Sequence, residues 1–391
     1  MRDATHCTIH PAVDLTEFSS LTVPTYRAST IVFEDAEAYA TRGERDLDSY
    51  MYGLYGTPTT KTLEAQITKL ENGVRSVIVP SGQAGATIVF LSVLLPGDTV
   101  LIPDSVYPPV LDFCVNYLQP RGICHKIYQP DGTGIEDLID PSVKLIWTET
   151  PGSTTMEFQD LRAIAALGKK HGILTGADNT WATPLHLKPL DLGIDFSMQA
   201  LSKYAGGHSD LLLGSICVND LELRKKLRDT MRMLGIGVSP DEVALVLRGI
   251  ETMALRLAHV EQVARNLAEE LASRPDVGLV LHPALADFPQ HTLWKRDFSG
   301  ASGVFNVVLT ESQEANLDEG LNQLKVIAIG ASWGGTRSLI APMSVKKGRK
   351  FAKPEHQRTI LRINVGLEDQ EDLRSDLKAL FDILSSSDKS N

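Results

Sequence analysis

The sequence predicts an α/β protein with a mainly parallel sheet, followed by a smaller α+β unit. Three observations carry this prediction. From Ser76 to Val218, short β-branched runs alternate with longer helix-period segments that end in Gly or Pro. A long helical pattern, Asp241 to Leu271, comes next, and beyond it strands and helices recur on a smaller scale. The 391 residues are 43% hydrophobic and 22% charged, enough apolar content for a large core, which excludes a disordered or fibrous chain.

Taken in order, the first 58 residues carry Pro11, Pro24 and scattered Ser and Thr without a long periodic segment, and read as an arm lying over another surface. The sheet follows, with seven candidate strands: Ser76 to Val79, Thr99 to Ile102, Cys124 to Tyr128, Val143 to Trp147, Ile173 to Thr175, Asp195 to Met198 and Leu211 to Cys217. Between them Ala84 to Leu95, Val110 to Leu118 and Leu161 to His171 have helical spacing. Helices at Asp220 to Leu234 and Asp241 to Leu271 follow, the second long enough to link two domains. The last unit has strands at Leu279 to Leu281, Ser302 to Leu309, Val326 to Ile329 and Ile360 to Val365, with helices near Asn316 to Leu324 and Asp372 to Leu384. The expected division is an arm, 1–58, a cofactor-sized domain, 59–250, and a C-terminal domain, 251–391.

Charge narrows the function. With 38 Lys plus Arg against 49 Asp plus Glu the net charge is −11, which argues against a broad nucleic-acid or anionic-lipid surface and for small-molecule chemistry. Cys7, Cys114, Cys124 and Cys217 match neither a zinc pair nor a disulfide framework, so they read as reduced and mostly packing residues, and no metal is expected. The longest apolar stretch, Ala86 to Leu95, is too short to span a bilayer, and the N-terminus lacks a signal pattern; the expected location is the cytoplasm.

Parallel sheets bind ligands beyond the carboxyl ends of their strands, so chemistry is expected in the strand-to-helix loops. Ser81-Gly82-Gln83-Ala84 opens a helix, and free N–H groups at Gly82 and Gln83 suit a phosphate; an ordinary turn is the alternative. Asp178-Asn179-Thr180-Trp181 follows an apolar strand, where Asp178 either caps a turn or holds a cofactor nitrogen protonated. Ser202-Lys203-Tyr204 follows another, and a desolvated Lys203 can act as a Schiff-base nucleophile, while His208 reads as a structural histidine. Tyr107 offers a ring for stacking on an aromatic cofactor, and taken alone reads as a core tyrosine. Arg362, inside an apolar strand, needs a carboxylate from the protein or from a substrate. Phosphate cradle, stacking ring, acid, lysine and arginine together are the set that pyridoxal 5'-phosphate chemistry on an amino acid requires.

In the order and spacing of these segments the chain resembles the cystathionine lyase and synthase family, the pyridoxal-phosphate enzymes of cysteine and methionine metabolism, over nearly its whole length. The resemblance is carried by Tyr52-Gly53-Leu54-Tyr55-Gly56-Thr57-Pro58-Thr59, Ser81-Gly82-Gln83-Ala84, Glu149-Thr150-Pro151-Gly152-Ser153, Asp178-Asn179-Thr180, Ser202-Lys203-Tyr204, and Arg362 with Gly366-Leu367-Glu368-Asp369. Within the family it is most similar to the β-lyase branch, on Thr155-Met156-Glu157, Gly207-His208-Ser209-Asp210 and the tryptophan of Ser332-Trp333-Gly334-Gly335, where synthases and γ-lyases usually carry Leu.

The resemblance implies a fold-type I pyridoxal-phosphate transferase, assembled as a homotetramer of two active dimers. It implies catalytic roles for Lys203 and Tyr107, and cofactor contacts from Tyr52 of the adjacent chain, Gly82, Gln83, Tyr107, Ser153, Asp178, Thr180, Ser202 and Lys203. The substrate's α-carboxylate would meet Ser332, Trp333 and Arg362, with Tyr107 beside it. The implied reaction is β-elimination from L-cystathionine or a related cysteine S-conjugate to a thiol, pyruvate and ammonia; γ-elimination, γ-replacement or a specialised lyase reaction is the alternative. A non-catalytic regulator is disfavoured, because the lysine, aspartate and arginine are intact and no basic helix-turn-helix segment precedes the sheet. Three departures stand out: Leu54 where the family usually has a phosphate-binding arginine, Ala331 at an often aromatic position, and Thr336-Arg337-Ser338 in place of a glutamate-containing triplet.

Overall fold

The computed structural model describes residues 19–46 and 48–386, so Cys7, Pro11 and the last five residues of the tail lie outside the described residues. A seven-stranded sheet is built from β1 (Arg75–Val79), β2 (Thr99–Pro103), β3 (Cys124–Tyr128), β4 (Val143–Glu149), β5 (Leu174–Asp178), β6 (Phe196–Gln199) and β7 (Gly214–Val218), in the order β1-β7-β6-β5-β4-β2-β3. β6, β5, β4, β2 and β3 run parallel, and β7 is antiparallel to both its neighbours. Such a sheet is covered on both faces, which is why β2 and β7 are buried at every position. One glycine is dictated by packing here: a Cβ on Gly176 would lie 2.7 Å from the fully buried Trp147 ring on the adjacent strand.

The helices follow local signals. Ser81 Oγ accepts the Ala84 N–H at 3.1 Å and opens Gly82–Val93, whose apolar residues are packed between the sheet and the helix Leu221–Leu234. Asp160 caps Leu161–His171 at one end, and Gly172, at φ 66°, closes it at the other. The predicted helix Asp241 to Leu271 is two helices, Pro240–Ile250 and Met253–Ser273. The break has a cause: Arg256 donates to the Gly249 carbonyl at 2.7 Å, taking up an acceptor that a continuous helix would use internally, and its Nε is held by Thr252 Oγ1 at 3.1 Å. Gly249 also lies against the Ala205 and Gly206 carbonyls, where a Cβ would meet oxygen at 2.3–2.4 Å.

The smaller sheet comprises β8 (Leu279–Leu281), β9 (Val304–Val308), β10 (Ala328–Ile329), β11 (Leu339–Met343) and β12 (Ile360–Asn364), in the order β10-β11-β12-β9-β8. Sequence reading missed β11 because Pro342 sits within it. The strand tolerates the proline because β10 pairs only with Leu339 and Ile340, so on that side no ladder bond is demanded at residue 342. The predicted strand Val326 to Ile329 shortens to its last two residues, since the Val326 and Ile327 N–H groups bond the Asp376 carboxylate instead of a neighbouring strand. No helix among the described residues is long and apolar enough to cross a membrane.

Candidate active site

The carboxyl ends of β1, β2, β4, β5 and β6 open on one edge of the large sheet, and the smaller sheet faces that edge across a cavity of about 410 Å³. β5 extends further than the sequence pattern suggested, so that Asp178 is its last residue. In register, Asp178 lies beside Glu149 of β4 and Met198 of β6. All three line the cavity.

Asp178 Oδ1 receives both the N–H and the hydroxyl of Thr180, and the Thr180 hydroxyl in turn accepts the Ala200 N–H at 2.9 Å. Thr180 therefore orients the acid and ties it to the turn bearing Lys203. Burial pushes the Asp178 carboxyl above the usual range, while Thr180 and Lys203 pull it back. Glu149 is pushed well up, by burial first and by the Asp178 charge second. Its Oε2 accepts the Tyr107 N–H at 2.6 Å, which holds the Tyr107 turn at the mouth of the cavity with the ring half-exposed.

Lys203 Nζ donates to Ser332 Oγ at 2.7 Å and lies 5.3 Å from the centre of the Trp333 ring. Burial, then the Arg362 charge, lower its pKa to about 8, against a smaller opposing pull from Asp178. Arg362, in the middle of β12, donates to the Ala331 carbonyl. Among the described residues no carboxylate forms an ion pair with it, so a half-buried guanidinium faces the cavity with capacity for an anion.

Gly82, Gln83, Ser153, Ser202, Ser332 and Trp333 also line the cavity. The Ser202 hydroxyl is engaged with the Leu213 backbone, accepting its N–H at 3.2 Å and donating to its carbonyl at 3.1 Å. Tyr52 alone of the expected residues lies outside the cavity; it is half-exposed and bridges to Thr30. His208 is exposed and bonds the Gly206 carbonyl through Nδ1 at 2.8 Å, the structural role expected of it. Arg337 is exposed and directed at the Val326 carbonyl, away from the cavity.

Sequence reading assigned no role to three residues near this site. Glu149 opens the Glu149-Thr150-Pro151-Gly152-Ser153 motif, and its place at the end of β4 is the signal that marks it. Asn306, in the otherwise apolar strand Val304–Val308, pairs in register with Arg362, donates to the Thr154 carbonyl at 2.7 Å and leaves a buried Oδ1 unpartnered. The third, Arg349, sits between lysines and glycine in Lys347-Gly348-Arg349-Lys350 and looks like part of a solvated run.

Pyridoxal phosphate fits this donor set. The first N–H groups of a long helix have no intrahelical partner and open beside Ser202, suiting the phosphate. A protonated ring nitrogen would add to the Lys203 charge in offsetting the burial of Asp178. Lys203 has a lowered pKa suited to a Schiff base.

Residues 5–382 match the family described as Cys/Met metabolism PLP-dependent enzyme. The chain is 37% identical to a cystathionine beta-lyase of Bordetella avium, over 92% of this chain and 91% of that one. It is also 37% identical to an L-alanine/L-glutamate racemase of Wolbachia pipientis, over 92% of each. The crystal structure of metB from Corynebacterium glutamicum superimposes with a TM-score of 0.86 at 27% identity, over 94% of both chains. The chain belongs to the Cys/Met metabolism family of pyridoxal-phosphate-dependent enzymes.

Proposed function

We propose that this protein is a carbon–sulfur β-lyase that cleaves L-cystathionine, or a related cysteine S-conjugate, to a thiol such as homocysteine, pyruvate and ammonia, and that it works as a cytoplasmic homotetramer. The observation that carries the reading is Lys203, an amine with its pKa lowered to about 8, set between Asp178 and Arg362 in one cavity. The β-lyase relative supports the choice of bond, as does Trp333 beside the lysine.

When bound, pyridoxal phosphate supplies an electron sink for the carbanion at the substrate Cα. The chain's own residues do the rest. Arg362 takes the α-carboxylate and fixes the Cα–H bond relative to Lys203. With a pKa of about 8, roughly one-tenth of Lys203 is neutral at pH 7, against less than one-thousandth for an ordinary lysine, so a base is at hand to take the Cα proton. Ser332 holds the amine in place. The thiolate then leaves from Cβ, and hydrolysis of the three-carbon remainder gives pyruvate and ammonia.

Exposure of Leu21, Tyr26, Val32, Tyr39 and Tyr52 on the arm supports assembly with a second copy, and with it the role of Tyr52 at the neighbouring cofactor phosphate. The racemase relative favours a second reading, in which the proton taken from L-alanine or L-glutamate returns to the opposite face. The test is the visible spectrum of the purified protein before and after L-cystathionine and, in a separate sample, L-alanine, with pyruvate, 2-oxobutyrate and D-alanine measured separately. A Schiff-base band with pyruvate supports the β-lyase; 2-oxobutyrate moves the protein to γ-elimination, and D-alanine from L-alanine without elimination moves it to racemisation.

A further inference from the structure

The segment between β11 and β12 leaves the smaller sheet, reaches the loops of the large sheet and returns. At its far end the Lys350 and Phe351 N–H groups bond both oxygens of the buried Asp104, at 2.9 and 2.6 Å. Arg349 goes deeper. Its Nη2 donates to the Ser153 carbonyl and its Nη1 to Thr155 Oγ1. Nη1 also lies 3.8 Å from Glu157 Oε2, which accepts the Thr155 hydroxyl at 2.5 Å, and His356 Nδ1 lies 3.8 Å from the other Glu157 oxygen. The Arg349 side chain is only 8% exposed. The acids facing it, Glu157, Asp104 and Glu149, all come from loops or strand ends of the large sheet.

What Arg349 grips is the loop that carries Ser153. That loop is turned tightly, with Thr154 and Met156 at φ 69° and 63°, and is held inside itself by Gly152 N–H to Glu157 O at 2.7 Å. It is tied to the Tyr107 side of the cavity by Ser153 N–H to Ser105 O, at 2.8 Å. The same segment holds Asp104, three residues before Tyr107, and then runs into β12, which bears Arg362. One strap thus touches the supports of Ser153 and Tyr107 and continues into the strand that offers the guanidinium.

We propose that Arg349 is a positioning residue of the active site: its forked guanidinium, delivered from the smaller sheet, fixes the Ser153 loop against the cavity and keeps that loop and the Arg362 strand in one geometry. The proposal rests on reading the cavity as the cofactor site. A guanidinium suits the task because two acceptors, Ser153 O and Thr155 Oγ1, must be met at once in the presence of a carboxylate. A lysine keeps the charge and loses the fork.

The test uses Arg349→Lys and Arg349→Met in the full-length protein. In cofactor-free protein, amide exchange over residues 151–157 is expected to accelerate at least about tenfold in Arg349→Met and less in Arg349→Lys. In holoenzyme, the visible circular dichroism of the bound cofactor should change and kcat should fall by roughly tenfold to a hundredfold with KM within about threefold, since the loop orients the reacting groups more than it binds them. Wild-type exchange over 151–157 in Arg349→Met overturns the proposal, as does a lowered Tm with kcat and the cofactor signal unchanged. If Arg349→Met does not fold, Arg349→Lys is held to the same two criteria. Should wild-type protein show neither a cofactor band nor turnover, the functional reading fails, while the exchange measurement still decides whether Arg349 holds the loop.

Discussion

The two sheets deliver opposite charges to the space between them. The large sheet presents acids at its strand ends, Asp178 and Glu149 at the cavity and Asp104 and Glu157 just behind it. The smaller sheet presents cations, Arg362 on β12 and Arg349 on the strap before it. Burial and the Asp178 charge disfavour the charged form of Glu149, Lys203 offsets part of the Asp178 charge, the strap meets Asp104 and Glu157, and Arg362 has no carboxylate partner among the described residues, so a zwitterionic ligand in the gap completes the pairing. Lys203 is the exception, a cation on the acid side, and the charge of Arg362 opposite helps to lower its pKa. The division separates chemistry from recognition: the acid side tunes the reactive groups, and the cation side binds and aligns.

The largest effect should come from the exception. Lys203→Ala removes both the Schiff-base amine and the proton acceptor, and pyruvate release should fall by at least about 10³-fold with far-ultraviolet circular dichroism unchanged. Turnover near the wild-type rate would show that the base lies elsewhere. Next in size, Arg362→Ala removes the anion site from the cation side. A buried charge-assisted pair is worth about 2–5 kcal/mol, so kcat/KM should fall by roughly 30-fold or more for every α-amino-acid substrate, with Arg362→Lys recovering part. An unchanged KM in Arg362→Ala would break the division of labour.

The two sides also differed in how openly the sequence displayed them. Asp178, Lys203 and Tyr107 follow apolar strands at places where a parallel sheet exposes its chemistry, and Arg362 was visible as a charge inside an apolar strand. Asn306 carried the same signal and passed unused. Arg349 had none, because its partners Ser153, Thr155 and Glu157 lie almost 200 residues away and its neighbours are ordinary surface lysines. For the same reason β11 was hidden: Pro342 is legible as a strand breaker, but the short partner strand that makes it harmless is a tertiary fact. The break at Glu251–Thr252 likewise depends on Arg256 turning back onto Gly249 and on the close approach of Gly206.

A buried acid away from the cavity gives the smallest effect and a control for the comparison. Glu71 follows the helix Pro58–Leu70 and lies beneath β6, where it accepts from Ser197 Oγ at 3.0 Å and from Gln199 Nε2. Side chains alternate along a strand, so Ser197 and Gln199 face away from Met198, which lines the cavity. Burial pushes Glu71 from an ordinary 4.5 up to about 7, with the two hydrogen bonds opposing. Because the folded value is the higher one, the native protein retains a proton that the unfolded chain releases between pH 4.5 and about 7. The stabilisation linked to that proton is complete below pH 4.5 and lost as pH rises through 7, a change of about 3 kcal/mol. The difference in unfolding free energy between wild type and Glu71→Gln should therefore shift by that amount in favour of the variant from about pH 4.5 to 7.5, while KM at neutral pH stays within about twofold. A pH-independent difference would remove Glu71 as a titrating group, and a large change in KM would mean that acids on both faces of the large sheet serve the site.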